Sequence, residues 1–259
     1  MIKKSIRKNY FYRMIPILKA IPKTIWKVWF LLYMIASTLF FYPFLLVTIL
    51  VLKNYDLTYR IYRIWAVSIC IAIGVIPLAK GIERLPAKGP YIIVANHSSE
   101  LDIIVPYTKI KSHFAFLAKE ELKKAPLFNI NFKGMNVTVN RRSMLSGKHS
   151  MKECLDKIDQ KINLLIFPEG TRSGSAPTMS RFKNGPFSLA VESNAPIVPV
   201  VFHDNYKRLG GGKGFFLSHA SPGISRMTIL DPIHPKDAGN SIDELSMLVR
   251  KAMEKAQKS

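Results

Sequence analysis

The chain has 259 residues, of which 48% are hydrophobic, and this composition excludes a wholly disordered protein. Lysine and arginine number 38 against 17 aspartate and glutamate residues, and the resulting charge of +21 favours anionic partners such as nucleic acid, an anionic membrane surface or acidic substrates. The two cysteines, Cys70 and Cys154, are too few for a disulfide framework, and we expect both to be apolar filler.

The N-terminal part of the chain has the pattern of a membrane-attached segment. Residues 1–27 contain eight Lys and Arg and no acidic residue, and residues 28–52 contain no charged residue at all. A helix needs about 20 mainly apolar residues to span a bilayer. No small-residue cleavage site follows this segment, so we expect it to be retained in the protein. A second apolar run, residues 64–79, is only 16 residues long.

Three arrangements of this second run are open. The two runs can form a pair of spanning helices with a tight outer turn, or a helical hairpin embedded mainly in one leaflet. Alternatively, the second run is a buried helix of a soluble domain. Both membrane arrangements leave the rest of the chain on the cytoplasmic side, which the basic N-terminus also favours. We therefore predict a protein of the cell (cytoplasmic) membrane, with the basic arm and apolar helices in residues 1–79 and a cytoplasmic domain in residues 80–259.

From residue 80 onward, short apolar runs alternate with amphipathic stretches. The apolar runs predict strands at 91–95, 113–118, 135–139, 163–167, 196–202 and 225–230. Helical spacing of apolar residues predicts helices around 151–158 and 187–191, and a C-terminal helix that follows a capping-box pattern at Ser241. The alternation predicts an α/β fold, with a mostly parallel or mixed sheet flanked by helices and an N-terminal membrane-embedded helical hairpin.

The first candidate site is the segment NHSSELD, residues 96–102, which directly follows the strand predicted at 91–95. Loops at the carboxyl ends of strands collect functional sites in α/β sheets. With His97 in the loop and Asp102 in the first turn of a helix, the carboxylate can accept a hydrogen bond from one imidazole nitrogen. The other nitrogen can then remove a hydroxyl proton during acyl transfer. The alternative is a helix N-terminus capped by Ser98 or Ser99 beside a surface histidine.

The second candidate site is FPEGTRS, residues 167–173, which follows another buried strand. Arg172 can bind a phosphate through two parallel hydrogen bonds, and Gly170 lets the backbone approach a ligand closely. Glu169 can orient Arg172 or a substrate hydroxyl. Further cation candidates are Lys119 and Arg141, which follow predicted strands, and Lys183 in the segment FKNG. The alternatives are a polar turn with a surface ion pair, and solvated basic residues.

Together these segments resemble the glycerolipid acyltransferase family, which includes the lysophosphatidate and glycerol-3-phosphate acyltransferases. NHSSELD matches the family's N-H-x-x-x-x-D block, FPEGTRS matches its F-P-E-G-T-R-S block, and APIVPVV matches its later proline block at Pro196 and Pro199. One block departs from the family pattern. The stretch from Gly134 to Arg141 is one residue longer than usual, so only its Asn140-Arg141 end is carried over.

The resemblance implies a role for each matched residue. His97 is the general base and Asp102 its partner, and no metal or redox cofactor is needed. Glu169, Gly170, Thr171 and Arg172 bind a phosphorylated acceptor, helped by Arg141, and we add Lys119 as a further cation. The donor is an acyl thioester on coenzyme A or acyl carrier protein. The acceptor is a lysophosphatidate-type lipid, which becomes phosphatidate in phospholipid biosynthesis.

Alternatives to this function come from the same class and from others. The same chemistry can act on glycerol 3-phosphate, another lysophospholipid or an amino-acid lysolipid. A membrane-tethered nucleic-acid-binding protein also fits the charge, but the sequence has no RNP-type motif, helix-turn-helix pattern or zinc-ligand spacing, so we expect no nucleic-acid partner. An esterase would need an activated serine, and neither Ser98 nor Ser99 lies in a nucleophile elbow.

Overall fold

The computed structural model describes residues 2–124, 127, 129–139, 144–210 and 218–258, with side chains described from residue 21 onward except for residues 144–146. The helices are α1 (Ile2–Leu46), α2 (Tyr55–Ala72), α3 (Leu101–Lys109), α4 (Met144–Asp159), α5 (Gly185–Ser193), α6 (Asn205–Arg208) and α7 (Ile242–Lys258). The strands are β1 (Val75–Lys80), β2 (Ile92–Ala95), β3 (Phe114–Lys119), β4 (Val137–Val139), β5 (Asn163–Ile166), β6 (Ile197–Phe202), β7 (Leu209–Gly210), β8 (His219–Ala220) and β9 (Gly223–Ile229).

Seven strands form one mixed sheet in the order β1-β9-β6-β2-β5-β3-β4. The strands from β6 to β4 in this order are parallel to one another, whereas β9 is antiparallel to β6 and pairs in parallel with β1. β7 and β8 pair separately as a short ribbon. The predicted α/β fold with a mixed sheet is confirmed, and each of the six predicted strands corresponds to one strand of this sheet.

Helices cover both faces of the sheet, which explains why its central strands are apolar throughout. In β2, Ile93 and Ala95 pack toward α1, α2 and α3, whereas Ile92 and Val94 pack toward α4, α5 and α7. Successive side chains of a strand point to opposite faces, so a strand that is covered on both sides has no polar positions. The sheet is therefore the middle of three layers.

The two N-terminal helices form an antiparallel hairpin. The indole nitrogens of Trp26 and Trp29 near the middle of α1 donate to the backbone oxygens of Ile73 and Ala72 at the end of α2, over 3.0 and 2.8 Å. These bonds satisfy carbonyl groups that a helix end leaves without partners. Closer to the turn of the hairpin, the indole of Trp65 donates to Ser37 Oγ over 3.0 Å. The predicted helical hairpin is thus present.

The prediction that residues 64–79 form one apolar helix is wrong in its second half. α2 ends at Ala72, Gly74 adopts a φ of +67°, and the chain then forms the edge strand β1, which pairs with β9. Apolar composition alone does not separate a short buried strand from a helix, which is why the sequence misled here. The predicted domain boundary at residue 79 lies inside this strand. α2 also packs into the same hydrophobic core as the sheet, through residues such as Tyr59 and Ile69.

Among the described helices, the stretch Ile21–Val51 is long and apolar enough to cross a membrane, by the criteria of length and composition. A signal sequence or a buried core helix would meet the same criteria. This stretch is not mainly a core helix, because many of its large apolar side chains are exposed, among them Leu32, Ile35 and Phe40. The exposed apolar surface continues onto α2 at Ile64 and Ile71.

Candidate active site

The two sequence motifs meet at the carboxyl edge of the central strands β2 and β5, which are neighbours in the sheet. After β2 the chain forms α3 on one face of the sheet and continues to β3. After β5 it forms α5 on the opposite face and continues to β6. The loops that leave two such strands diverge and open a crevice between them, where ligands bind in open α/β sheets. The loop after β2 and the loop after β5 therefore lie side by side.

His97 and Asp102 are in contact, as their spacing predicts. β2 ends at Ala95, α3 begins at Leu101, and the Nδ1 atom of His97 lies 3.0 Å from Oδ2 of Asp102. The histidine therefore lies in the loop and the aspartate in the first helical turn. Because a carboxylate only accepts hydrogen bonds, this contact requires the proton on Nδ1 and leaves Nε2 as the basic nitrogen. The catalytic role of the pair stays a prediction.

Asp102 is fully buried and accepts hydrogen bonds from several directions. Besides His97, the backbone N–H groups of Ser98 and Ser99 donate to its Oδ2 over 2.6 and 2.8 Å. The side-chain amide of Asn205 donates to Oδ1 over 2.8 Å. A buried polar group needs such hydrogen-bond partners, and these donors fix the orientation of the carboxylate.

The imidazole of His97 is held between the two loops. Its ring stacks on the ring of Phe167, with centroids 4.1 Å apart and planes inclined by 14°. The backbone N–H of His97 donates to Oε1 of Glu169 over 2.8 Å, and its carbonyl oxygen accepts from the N–H of Ser173 over 2.8 Å. Contacts from the FPEGTRS loop therefore fix both the backbone and the ring of the histidine.

Glu169 is buried and braces the backbone of the site. Its Oε1 accepts from His97, and its Oε2 accepts from the N–H of Ser180 over 2.7 Å. The sequence analysis allowed Glu169 to orient Arg172, but in the structure Arg172 forms an ion pair with Glu100 of the other motif. The described contacts of Glu169 therefore hold the two loops together.

Two exposed cationic side chains lie at the turn after β5. Arg172 and Thr171 are exposed, and the exposed Lys183 extends over Gly170, where a Cβ atom would lie 2.9 Å from its Nζ. Gly170 has a φ of +73°, so both its conformation and this close approach require glycine. The ammonium and the guanidinium thus flank one turn, an arrangement that suits an anionic ligand.

Two other predicted cations are not part of this cluster of described contacts. Lys119 lies at the carboxyl end of β3, the strand beside β5, where it is exposed and its Nζ pairs with Oε1 of Glu121 at 2.9 Å. It shares the functional edge of the sheet, but its described ion pair is with a neighbour in the chain. Arg141 lies outside the described residues. Phosphate binding by either residue stays a prediction.

Two asparagines also build the site: the sequence analysis included Asn96 in the first motif without giving it a role, and it missed Asn205. Asn96 donates from Nδ2 to the carbonyl of Phe202 and accepts at Oδ1 from the N–H of Phe202, which ties the end of β2 to the end of β6. Asn205, three residues beyond β6, contacts Asp102. The rule that sites follow strands would have identified Asn205, had it been applied to the strand predicted at 196–202.

Ionisable groups beside Asn205 have shifted pKa values. The hydrogen bonds from Arg226 lower the pKa of Asp204, the buried residue that directly precedes Asn205. Burial lowers the pKa of His203, and the nearby Arg226 lowers it further. His203 is therefore neutral at physiological pH, and its Nε2 lies 2.9 Å from the hydroxyl of Thr228. The contacts of these groups with β9 stabilise the turn.

This arrangement can deprotonate a hydroxyl group beside a bound anion. Nε2 of His97 is the available base, the buried carboxylate stabilises the imidazolium that forms, and exposed cations lie on the adjacent turn. Ser99 is not free to act as a nucleophile, because its hydroxyl donates to the carbonyl of Leu209 and accepts from the N–H of Leu101.

Comparisons with known proteins agree with this chemistry. The sequence model described as Acyltransferase matches residues 78–203. The chain is 33% identical to the 1-acyl-sn-glycerol-3-phosphate acyltransferase of Saccharomyces cerevisiae over 67% of this chain and 57% of that protein. It is 30% identical to the human 1-acyl-sn-glycerol-3-phosphate acyltransferase alpha over 55% of this chain and 50% of that protein. The chain spans about half to two thirds of the length of the curated relatives it matches.

A solved structure has the same fold. The crystal structure of the 1-acyl-sn-glycerophosphate (LPA) acyltransferase PlsC from Thermotoga maritima superposes with a TM-score of 0.76, covering 92% of this chain and 95% of that chain at 24% identity. Both motif loops lie within the matched residues 78–203. Residues 78–203 of the chain therefore form a domain that matches the acyltransferase family.

Proposed function

We propose that this protein is a membrane-attached acyltransferase that uses an acyl thioester to acylate the free hydroxyl of 1-acyl-sn-glycerol 3-phosphate. The product is phosphatidate, a precursor in phospholipid biosynthesis. Acyl-coenzyme A or acyl carrier protein supplies the acyl group, and the reaction needs no metal or redox cofactor. The proposal draws on the activity for which the relatives are named and on the chemistry of the site.

The proposed reaction is a direct transfer in one site. The acceptor hydroxyl gives its proton to Nε2 of His97 while its oxygen bonds to the thioester carbonyl carbon. The tetrahedral intermediate then collapses, the carbon–sulfur bond breaks, and the departing thiolate takes the proton from the imidazolium. Asp102 stays ionised throughout and stabilises the positive charge on His97. The products are the new ester and a free thiol.

The observation that carries the proposal is the contact of 3.0 Å between His97 Nδ1 and the buried Asp102 Oδ2, beside a turn that presents exposed cations. Arg172 and Lys183 flank this turn, and both suit a phosphate group. A phosphate held there would leave the glycerol hydroxyl of a bound lipid close to the imidazole. The hydroxyl of Thr171 can add a hydrogen bond to the same group.

The surface of the hairpin supports a membrane location. Exposed apolar side chains on α1 and α2 suit acyl chains, and the net charge of +21 suits the anionic surface of a cytoplasmic membrane. α2 also packs through Tyr59 against Tyr107 and Phe114 of the α/β domain. A helix that covers this domain suits insertion of the hairpin into one leaflet better than two crossings of the bilayer. The α/β domain then lies on the cytoplasmic surface.

The decisive experiment is an acyl-transfer assay with purified protein in lipid micelles. Labelled acyl-coenzyme A or acyl carrier protein is offered with a panel of acceptors: 1-acylglycerol 3-phosphate, glycerol 3-phosphate, lysophospholipids and an amino-acid lysolipid. We expect phosphatidate as the main product. His97→Ala and Asp102→Asn should lower kcat by about 10²- to 10⁴-fold, as expected for loss of a general base, while circular dichroism remains that of the folded protein.

His149→Ala is the matched control, because His149 is an exposed histidine on α4 that pairs with Glu153. Near-normal turnover by purified His97→Ala would refute the mechanism. Preference for another acceptor in the panel would keep the chemistry and replace the substrate. A salt-dependent shift of DNA without any acyl transfer would support a nucleic-acid-binding protein instead.

A further inference from the structure

The turn after β6 brings a third polar group to the pair formed by His97 and Asp102. Asn205 is the first residue of α6, it is fully buried, and its Nδ2 donates to Oδ1 of Asp102 over 2.8 Å. β6 is the neighbour of β2 on the side opposite β5, so the residues that follow all three strands meet at one edge of the sheet. Asn205 belongs to neither of the two motif segments.

The chemistry of its partners fixes the orientation of the Asn205 amide. An ionised carboxylate only accepts hydrogen bonds, so the NH₂ group faces Asp102 and the carbonyl oxygen faces away. This oxygen accepts a hydrogen bond from the hydroxyl of Ser225, a fully buried residue of β9. A flipped amide would bring two acceptor oxygens together at Asp102. The amide therefore has one orientation that satisfies both partners.

The turn that contains Asn205 is tied to β9 by the adjacent residues. Arg226 donates from Nε to Oδ2 of Asp204 over 2.6 Å and from Nη2 to Oδ1 over 2.9 Å. Asp204 precedes Asn205, and Arg226 follows Ser225, so two adjacent residues of the turn bind two adjacent residues of the strand. Asn205 cannot move away from Asp102 without disrupting this ion pair.

We propose that Asn205, supported by Ser225, is a positioning residue for the base of the proposed acyl transfer. By holding Oδ1 of Asp102, the amide prevents rotation of the carboxylate and keeps Oδ2 directed at His97. The backbone N–H groups of Ser98 and Ser99 donate to Oδ2 and not to Oδ1. The inference deepens the proposed function and rests on it. Asn205 acts through Asp102 and does not touch the substrate.

The first test separates positioning from folding. Asn205→Ala should lower kcat by about 10- to 100-fold, the usual effect of losing a partner that orients a catalytic group, with little change in KM for either substrate. Ser225→Ala should lower kcat by a smaller factor, because the amide keeps its bond to Asp102. The measurement is the kinetics of purified protein in the micelle assay, with the folded fraction taken from circular dichroism.

Asn163→Ala is the matched control. Asn163 is a buried asparagine at the opposite end of β5, where its Oδ1 accepts from the N–H of Tyr91 and its Nδ2 donates to the carbonyl of His113. Its loss should lower stability as much as that of Asn205 but leave kcat per folded molecule unchanged. If Asn205→Ala keeps a normal kcat, or loses activity only in proportion to its folded fraction, the inference is wrong.

A conservative variant supplies a test that a purely structural role would not affect. In Asn205→Asp, two buried carboxyl groups would lie within hydrogen-bond distance, so at neutral pH they share one proton. The protonated group can donate to Asp102 as the amide does, and activity near neutral pH is partly kept. When the pH rises and the shared proton is lost, the donor disappears and two charges repel. We therefore expect the kcat of this variant to fall with increasing pH where the wild-type kcat does not.

The pH profile has to be interpreted with the other ionisable groups near this position. They are His97 from the loop before α3, Asp102 from the first turn of α3, His203, Asp204 and Lys207 from the turn around α6, and Arg226 from β9. The wild type and Asn205→Ala contain all of these groups, so they provide the reference profiles. A kcat for Asn205→Asp that is reduced by one factor at every pH would overturn the inference.

A spectroscopic readout separates this inference from the proposed function. In protein labelled with ¹⁵N-histidine, the His97 signals, assigned by their loss in His97→Ala, should be those of the Nδ1-protonated tautomer. Asn205→Ala should reduce the population of this tautomer, and Asn163→Ala should not. An unchanged tautomer in Asn205→Ala refutes positioning. Failure of the wild type to acylate any acceptor refutes the proposed function, and the tautomer still decides whether Asn205 orients the pair.

Discussion

The ion pair between Arg172 and Glu100 joins the two motif loops at the surface of the site, where both side chains are about half exposed. Exposed ion pairs contribute only about 0–1 kcal/mol, because water competes for both charges. A phosphate dianion offers Arg172 a more highly charged partner with two parallel hydrogen bonds. The pair can therefore hold the guanidinium beside the crevice and still release it to a phosphorylated acceptor.

Replacing Arg172 should weaken acceptor binding more than it slows the chemical step. A hydrogen bond to a charged group contributes about 1.5–3 kcal/mol, so we expect Arg172→Ala to raise KM for the phosphorylated acceptor by about 10- to 100-fold with a small change in kcat. Arg84→Ala is the control, because Arg84 forms an exposed pair with Asp231, 3.4 Å apart, beyond the end of β1. The measurement is KM for the phosphorylated acceptor, from steady-state kinetics at varied acceptor concentration. An unchanged KM in Arg172→Ala would contradict phosphate binding by Arg172.

At the scale of one loop, the turn after β5 depends on glycine. Gly170 has a φ of +73°, and its N–H donates to the carbonyl of Phe167 over 3.1 Å, which closes the turn. The backbone N–H of Lys183 donates to the carbonyl of Pro168 over 2.8 Å, so the chain returns to the same turn 13 residues after Gly170. Any side chain at position 170 meets the aliphatic end of Lys183.

We expect Gly170→Ala to destabilise this turn and move Lys183. The left-handed conformation costs an L-residue about 1–2 kcal/mol, and the new Cβ would lie 2.8 Å from Cε of Lys183. Gly174→Ala in the same loop is the control, because a Cβ there meets open space. Thermal unfolding should show a midpoint lowered by a few degrees for the first variant only. Equal midpoints and equal KM values for the two variants would argue against this account.

At the scale of the whole molecule, the helices on the two faces of the sheet differ in how much apolar surface they expose. The face covered by α1, α2 and α3 has an outer surface with exposed apolar residues, whereas α7 on the other face has a largely polar exposed surface with Met247 and Leu248 as its exposed large apolar residues. Apolar surface of this extent is characteristic of membrane or protein contacts. In the proposed function, this apolar surface and the basic N-terminal residues orient the active-site edge of the sheet relative to a lipid surface.

Binding to vesicles should depend on the apolar face of α2. Ile64 and Ile71 are seven residues apart on one side of this helix, and both are exposed. Burying an isoleucine contributes about 1.5–3 kcal/mol, so each of Ile64→Asn and Ile71→Asn should lower the partition into anionic vesicles by at least tenfold. Asparagine leaves the net charge unchanged. Met247→Asn on α7 is the control, and vesicle sedimentation is the measurement. Equal loss in all three variants would contradict a membrane role for α2.

The elements that the sequence predicted well are those with local patterns. The strands around 91–95 and 163–167 are short apolar runs, and the motifs that follow them include residues with evident local chemistry, such as Gly170 in a turn. The contact between His97 and Asp102 was also predictable, because both residues lie within one strand–loop–helix segment. The pairing of Arg172 with Glu100 was not, because it joins residues 72 positions apart.

The sequence by itself determined the fold class, the two motif loops and the residue types available for proton transfer and anion binding. Alternation of apolar runs, helical spacing and turn-forming residues are short-range properties, so they can be identified without coordinates. The tertiary structure alone decided that Val75–Lys80 is a strand, that Glu169 braces backbone groups, and that Asn205 and Ser225 hold Asp102. Each of these depends on which strands are neighbours in the sheet, and strand order arises from long-range packing that no local pattern records.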